Sequence, residues 1–217
     1  MLIIPGMEVT IFEENETGKK VELLVYNPPK EIYPEIPHEE LLEMVAYYRE
    51  IGKTNPTANR PLVGIPHPID EWRGGAGRTL GTKIIQRSAE LGIPCLWETY
   101  NQHSTPARNE ESRYLAVHLN AIFPDTVKIG GVSDTHHPFE LGSCCIETGP
   151  FENEEELLRM LEIDSGEYTI ITSDNPNIER ISKTLSLTLM RMRGDPRIQA
   201  LGPKELARYT PRKPDQN

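Results

Sequence analysis

The sequence is poor in cysteine and has no long apolar run. It contains only three cysteines in 217 residues, Cys95, Cys144 and Cys145. An odd number with two adjacent thiols does not form a disulfide framework, so we expect reduced, buried thiols in a cytoplasmic protein. No apolar stretch approaches the roughly 20 residues that a membrane-spanning helix requires. The first residues also lack the basic start and apolar run of a signal peptide.

The chain also lacks a surplus of basic residues, because 33 acidic residues outnumber 23 Lys and Arg for a net charge of −10. A protein held on nucleic acid mainly by phosphate contacts is thereby disfavoured, although a local basic pocket is not. The apolar fraction of 37% is that of a globular protein. We expect one α/β domain over residues 1–202, with a hairpin and a helix in 1–60, and a loosely ordered tail over 203–217.

The hydrophobic pattern predicts the fold class. Residues 1–27 carry two alternating runs, MEVTIFEE and VELLVYN, on either side of a GKK turn, which indicates a β-hairpin. From residue 61 onward, short apolar strands alternate with helical segments, and Thr79 is a candidate N-cap for the helix after the turn RGGAGR. This alternation predicts a three-layer α/β sandwich with a mainly parallel sheet and helices on both faces.

Polar residues collect where the predicted strands end. They are His67, Asp70 and Glu71 after PLVGI, Asn101 and His103 after PCLWETY, Asp134, His136 and His137 after VKIGGVS, and Glu147 at the end of SCCI. Ligands of open α/β sheets bind beyond the carboxyl ends of the strands. Imidazole and carboxylate groups suit zinc, and a catalytic zinc keeps three protein ligands and a water. A single loop histidine is more often hydrogen-bonded or solvated than metal-bound, so the joint placement of these residues carries the prediction of zinc.

The stretch EESRYLAVHLNAIFPDTVKIGGVSDTHH resembles the aspartoacylase and succinylglutamate desuccinylase family of the zinc carboxypeptidase clan. In that family an Asp-x-His at a strand end supplies a ligand, which Asp134 and His136 match here. IETGP resembles the family's Glu-x-Gly strand, so Glu147 corresponds to its general acid/base. GIPHPIDE stands where the family has Gly-x-His-x-x-Glu, and His67 corresponds to its histidine. The resemblance covers roughly residues 61–160.

The resemblance implies a site with assigned roles. Zinc is held by His67, His136 and either Asp70 or Glu71, because the acid three places after His67 is Asp rather than the family's Glu. In the corresponding mechanism we expect Asp134 to orient a ligand histidine, His103 or His137 to donate to the oxyanion, and His103 to contact the substrate. The family's Asn-Arg pair for the substrate carboxylate is not evident. Four arginines are the candidates in its place, Arg73, Arg78 and Arg108 for substrate binding and Arg113 for catalysis.

The implied activity is hydrolysis of an amide bond in a small acylated amino acid or peptide through a metal-activated water. Two other families show similar motifs. IETGPFENEEELL is similar to the last segment of zinc cell-wall amidases, and THHPFELGSCCIETG is similar to archaeal D-aminoacyl-tRNA deacylases. The deacylase-like alternative predicts an esterase acting on tRNA, with a basic patch near the strand ends. A metal-free binding module on the same fold is the non-enzymatic alternative. None of these hypotheses predicts a membrane partner.

Overall fold

An N-terminal hairpin leads into alternating helices and strands. The structure is a computed structural model and describes residues 4–55, 59–132, 134, 144–148, 152–153, 156–157 and 168–172. The strands are β1 (Gly6–Glu14), β2 (Lys20–Tyr26), β3 (Leu62–Ile65), β4 (Cys95–Asn101), β5 (Val127–Val132), β6 (Cys144–Thr148) and β7 (Tyr168–Thr172). The helices are α1 (His38–Thr54), α2 (Gly77–Glu90) and α3 (Pro106–Ile122), with a 3-10 turn at Glu71–Arg73. The predicted tail over 203–217 lies outside the described residues.

The predicted hairpin is confirmed. Strands β1 and β2 pair antiparallel, and Val21, Leu23 and Val25 of β2 are buried in alternation with half-buried residues. In the turn, the Asn15 side-chain oxygen accepts hydrogen bonds from two main-chain N–H groups, and Gly18 adopts a φ of +73° that a side chain would strain. The hairpin therefore arises from local sequence: one buried face and a turn stabilised by its own asparagine.

The main sheet has five strands in the order β1-β2-β3-β4-β5. Strand β2 pairs antiparallel with β3, whereas β3, β4 and β5 are parallel to one another. Strands β6 and β7 form a separate antiparallel pair. The α/β class is confirmed, but the sheet is mixed, because a hairpin joined by a short turn must be antiparallel and here extends the sheet beyond β3.

Helices α2 and α3 cover one face of this sheet and meet at Trp97 of β4. The buried indole Nε1 donates to the carbonyl and the hydroxyl of Ser112 in α3, at 3.2 and 2.9 Å. A Cβ atom on Gly81 of α2 would lie 2.9 Å from the same ring. Leu41, Leu42 and Val45 of α1 belong to the same hydrophobic cluster. The main core therefore lies between this sheet face and the three described helices.

Of the three described helices, α3 begins at a side-chain cap, whereas α1 and α2 do not. Thr105 caps α3, its hydroxyl accepting from the Arg108 N–H at 3.3 Å, and Pro106 occupies the first turn. The predicted N-cap at Thr79 is wrong, because α2 begins at Gly77, whose N–H donates to the Pro68 carbonyl. Within the described part of the chain, none of the helices combines the length and apolarity needed to cross a bilayer.

Candidate active site

A tight turn after β3 places His67 at the carboxyl end of the parallel strands. His67 has a φ of +30° and is only 5% exposed. Its carbonyl accepts from the Asp70 N–H at 2.8 Å. A Cβ on Gly75 would lie 2.3 Å from that carbonyl, so only glycine fits there. The turn is therefore held in one conformation by hydrogen bonds and by a glycine.

Glu98 of β4 holds this turn from the neighbouring strand. Ile65 pairs with Trp97 in the parallel ladder, so Glu98 lies beside the chain that leaves β3. Its buried carboxyl group accepts hydrogen bonds from the His67 main-chain N–H and from the Asn101 side chain, the latter at 2.9 Å. Burial outweighs these hydrogen bonds and raises the pKa of Glu98 to about 8. Glu98 is therefore mostly protonated at pH 7.

A hydrogen-bonded network joins the ends of β4 and β5 to the turn. Arg73 donates to the Asn101 side-chain oxygen at 3.0 Å and forms an ion pair with Asp134, to which Asn101 also donates at 3.0 Å. Burial alone would raise the pKa of Asp134, but the Arg73 charge and the hydrogen bonds from Arg73 and Asn101 lower it to about 2. We call His67, Arg73, Glu98, Asn101 and Asp134 the strand-end site.

The His67 imidazole faces the hairpin. Its Nε2 lies 3.6 Å from an Oε2 atom of Glu22 in β2. Glu8 of β1 adds a second carboxylate, and one oxygen of each acid and a nitrogen of His67 all lie within 4.8 Å of one another. Burial, followed by the Arg73 charge, lowers the pKa of His67 to about 4 against the opposing effect of nearby carboxylates. The imidazole is therefore neutral at pH 7 and has a nitrogen lone pair to offer.

The two acids that follow His67 in sequence have other contacts. The buried Asp70 carboxylate forms an ion pair with Arg108 of α3. The Glu71 side chain lies against Gly77, and burial, followed by the Glu16 charge, raises its pKa. Whether either acid binds a metal remains a prediction.

The predicted arginines divide into two groups. Arg73 and Arg108 lie at the strand ends and pair with buried or nearly buried acids. Arg78 and Arg113 lie on exposed helix surfaces, where they pair with Glu111 and Glu110. The structure thus brings one of the four candidates, Arg73, into the strand-end site and a second, Arg108, next to the turn that carries His67. Arg113, which was expected to be catalytic, is not among them.

The structure describes two of the four remaining predicted site residues, His103 and Glu147. The main-chain N–H of His103 donates to the Asn101 side chain at 2.9 Å, which puts His103 at the edge of the strand-end site. Glu147 lies in β6, where it pairs with Thr169 of β7. His136 and His137 lie outside the described residues.

Three acids near His67 were not predicted from the sequence: Glu8, Glu22 and Glu98. Each lies inside a strand rather than after one. A signal was present for two of them, because Glu22 and Glu98 interrupt the apolar strings VELLVY and CLWETY. A charged residue inside an apolar strand needs a specific partner when it is buried.

Comparisons with protein-family models, with curated proteins and with solved structures find no match for this chain. Its chemistry is therefore inferred from the residues of the site.

Proposed function

We propose that the protein is a cytoplasmic zinc-dependent hydrolase that cleaves an amide bond of a small acylated amino acid or peptide. One observation carries this proposal: the buried, neutral imidazole of His67, at the carboxyl ends of the parallel strands, lies next to two carboxylates of the hairpin. Active sites of α/β proteins are typically built at this edge of the sheet. The free, buried thiol of Cys95 accords with a reducing compartment.

The donor groups present fit zinc. Neutral imidazole nitrogen and carboxylate oxygen are ligands that zinc prefers, and the His67 Nδ1 and Nε2 are fixed by a rigid turn. Among the described residues, none is hydrogen-bonded to the buried His67 Nδ1. His67 would hold the metal with carboxylate ligands and with the predicted His136. When bound, zinc lowers the pKa of a coordinated water to about 7, which provides a nucleophile at neutral pH.

The residues of the chain then have separate roles. Arg73 and Arg108 keep 26% and 35% of their side chains exposed, so a substrate carboxylate or acyl oxygen can reach them while Asp134 and Asp70 fix their orientation. Glu147 would take the proton of the attacking water and return it to the leaving amine. His103 and His137 are the candidate donors to the oxyanion.

Asp134 and Glu98 position other groups in this scheme. The Asp134 carboxylate holds Arg73 at the strand ends, and the Glu98 carboxyl group fixes the turn that carries His67. We also propose that the chain beyond residue 134 provides helices for the second face of the main sheet, as a three-layer sandwich requires.

The tRNA esterase alternative is less well supported. It predicts a basic patch at the strand ends, but each of the four candidate arginines pairs with a carboxylate. Paired guanidinium groups contribute little net charge to phosphate binding. The non-enzymatic alternative, a binding module without metal, predicts that the purified protein takes up no zinc.

Hydrolysis of N-acetyl and N-succinyl amino acids by the full chain tests the proposal. The expected result is turnover that a chelator abolishes and added zinc restores. His67→Asn should lose both turnover and zinc, because asparagine tolerates the positive φ of this turn but lacks the imidazole. His118→Asn, at an exposed position of α3, is the matched control and should retain both.

Three results would contradict the proposal. Turnover that is unaffected by zinc removal would exclude the metal mechanism. Cleavage of D-aminoacyl-tRNA esters without amide cleavage would favour the esterase alternative. A wild-type chain that takes up no zinc would favour the binding module.

A further inference from the structure

The hairpin presents two carboxylates on one sheet face. In the antiparallel register of β1 and β2, Glu8 pairs with Leu24 and Thr10 pairs with Glu22. Because side chains alternate between faces, Glu8 and Glu22 project from the same face as diagonal neighbours. Diagonal positions of an antiparallel pair are within reach of long side chains. The two carboxylates can therefore approach one point in space.

The next strand brings His67 to the same place. Leu24 pairs with Gly64 in the antiparallel ladder of β2 and β3, so the chain leaving β3 passes Glu22. The resulting distance from the His67 Nε2 to the Glu22 Oε2 is 3.6 Å. Two ligand atoms that share a tetrahedral zinc lie about 3.4 Å apart, given metal–ligand distances near 2.1 Å. The observed separation matches that spacing.

The hairpin is anchored to the turn that carries His67. The Asn15 side chain donates to the carbonyls of Glu71 and Gly75, at 2.7 and 2.8 Å. The Glu22 N–H donates to the Gly74 carbonyl at 3.0 Å, and a Cβ on Gly74 would lie 2.9 Å from the Glu22 carboxylate. These contacts fix the spacing between the hairpin acids and the imidazole, as a preorganised metal site requires.

A second observation, independent of the acids, points to a ligand here. The His67 side chain is only 4% exposed, and its Nδ1 is buried without a hydrogen bond to any described residue. Its Nε2 lies 3.6 Å from the Glu22 Oε2, and one of its ring nitrogens lies within 4.8 Å of a carboxylate oxygen of Glu8 and of Glu22. A histidine buried for packing alone ordinarily satisfies its ring nitrogens with hydrogen bonds.

We infer that Glu8, Glu22 and His67 bind one divalent cation, with zinc the best-fitting ion, so that the N-terminal hairpin completes the metal centre. This inference deepens the proposed function by naming its acidic ligands, and it rests on that function only for the presence of zinc at His67. The hairpin is then part of the site rather than an appendage of the domain. We call Glu8, Glu22 and His67 the hairpin triad.

Isothermal titration of metal-free full-length protein with zinc chloride tests the inference. Glu8→Gln and Glu22→Gln keep the size of each side chain and remove its charge. Each should weaken zinc binding at least about 10-fold, since removal of even an outer partner of a metal ligand costs 10–100-fold. Glu14→Gln, at an exposed position of the same hairpin, is the matched control and should bind zinc like the wild type.

Cobalt provides a readout that does not depend on activity. The visible absorption spectrum of the Co²⁺ form reports the donor atoms, so it should change in both triad variants and stay unchanged in Glu14→Gln. Circular dichroism of each variant would show that the fold is retained. A Co²⁺ spectrum that changes in both triad variants while their fold is retained would support the inference.

The outcomes separate the two proposals. Zinc binding and turnover that survive both triad substitutions would overturn the inference and leave the hydrolase proposal with Asp70 or Glu71 as ligand. Zinc binding that depends on the triad, in a protein without amide hydrolysis, would support the inference and overturn the proposed function. A wild-type chain that binds no zinc would overturn both.

Discussion

The main-chain N–H of His67 donates a hydrogen bond to the buried carboxyl group of Glu98. The two residues are 31 positions apart and are brought together by the parallel pairing of β3 and β4. The carboxyl group thus fixes the backbone of the residue whose imidazole faces the hairpin. Because folding changes the pKa of Glu98, its titration can be measured as a change in the free energy of unfolding with pH.

The buried Glu98 should make the protein less stable as the pH rises from 6.5 to 8.5. The pKa of Glu98 is about 8 in the folded chain against the ordinary glutamate value of 4.5, so the folded state binds an extra proton at pH 6.5 and loses it as the pH rises through 8. The free energy of unfolding should fall by about 2 kcal/mol, measured by urea titration of chelator-treated protein. Glu98→Gln should remove most of this fall, because the amide does not titrate. If the free energy of unfolding falls equally with pH in the wild type and in Glu98→Gln, the assigned protonation state is contradicted.

The Arg73–Asp134 ion pair should have the opposite pH dependence. The pKa of Asp134 is about 2 in the folded chain against the ordinary aspartate value of 3.8, so its stabilisation is complete above pH 3.8 and is lost toward pH 2. Asp134→Asn should reduce the free energy of unfolding by about 2 kcal/mol at pH 7 and by about half as much at pH 3. The exposed Asp125→Asn is the control, and a deficit for Asp134→Asn that does not depend on pH would count against the ion pair.

Gly81 should be intolerant of a side chain although it lies inside a helix. Alanine favours a helix over glycine by about 1 kcal/mol, but its Cβ would lie 2.9 Å from the buried Trp97 ring. Gly81→Ala should therefore destabilise the protein by about 1–2 kcal/mol net. In a Trp97→Phe background the same substitution should cost less, which a double-mutant cycle of urea unfolding measures. A stabilising effect of Gly81→Ala in the wild type would disprove this packing.

Glu147 should be needed for turnover but not for metal binding. In the proposed function Glu147 makes the proton transfers, and such transfers contribute about 10²- to 10⁴-fold. Glu147→Gln should lower kcat by at least about 100-fold on the best N-acyl amino acid, with the zinc content unchanged by metal analysis. Glu152→Gln, at an exposed position, is the control. A Glu147 variant that keeps most of its activity would end this assignment.

Much of the fold could be predicted from local patterns. Alternation around a GKK turn predicted the hairpin, and apolar strings such as PLVGI and PCLWETY predicted β3 and β4. The mixed sheet was not predictable in the same way, because alternation shows which face of β2 is buried but not that β2 pairs with β3. Thr79 failed as an N-cap because Gly77, with a φ of +70°, begins the helix two residues earlier.

The candidate site was predictable only where it follows strand ends. That rule identified His67, Asn101 and Asp134, and the structure brings the side chains of Asn101 and Asp134 together next to Glu98. The rule could not find Glu22, whose proximity to His67 depends on the register between β2 and β3. It also could not show that Asp70 pairs with Arg108, 38 positions away in the sequence. Long-range pairing, not residue type, decides these contacts.

Anomalous diffraction at the zinc edge, from crystals of the full chain grown with zinc, most directly tests whether a metal lies at His67. One peak within about 2.0–2.2 Å of the His67 Nε2 is the predicted result. A map with no peak there, or with a peak elsewhere that leaves the His67 imidazole unligated, would contradict it.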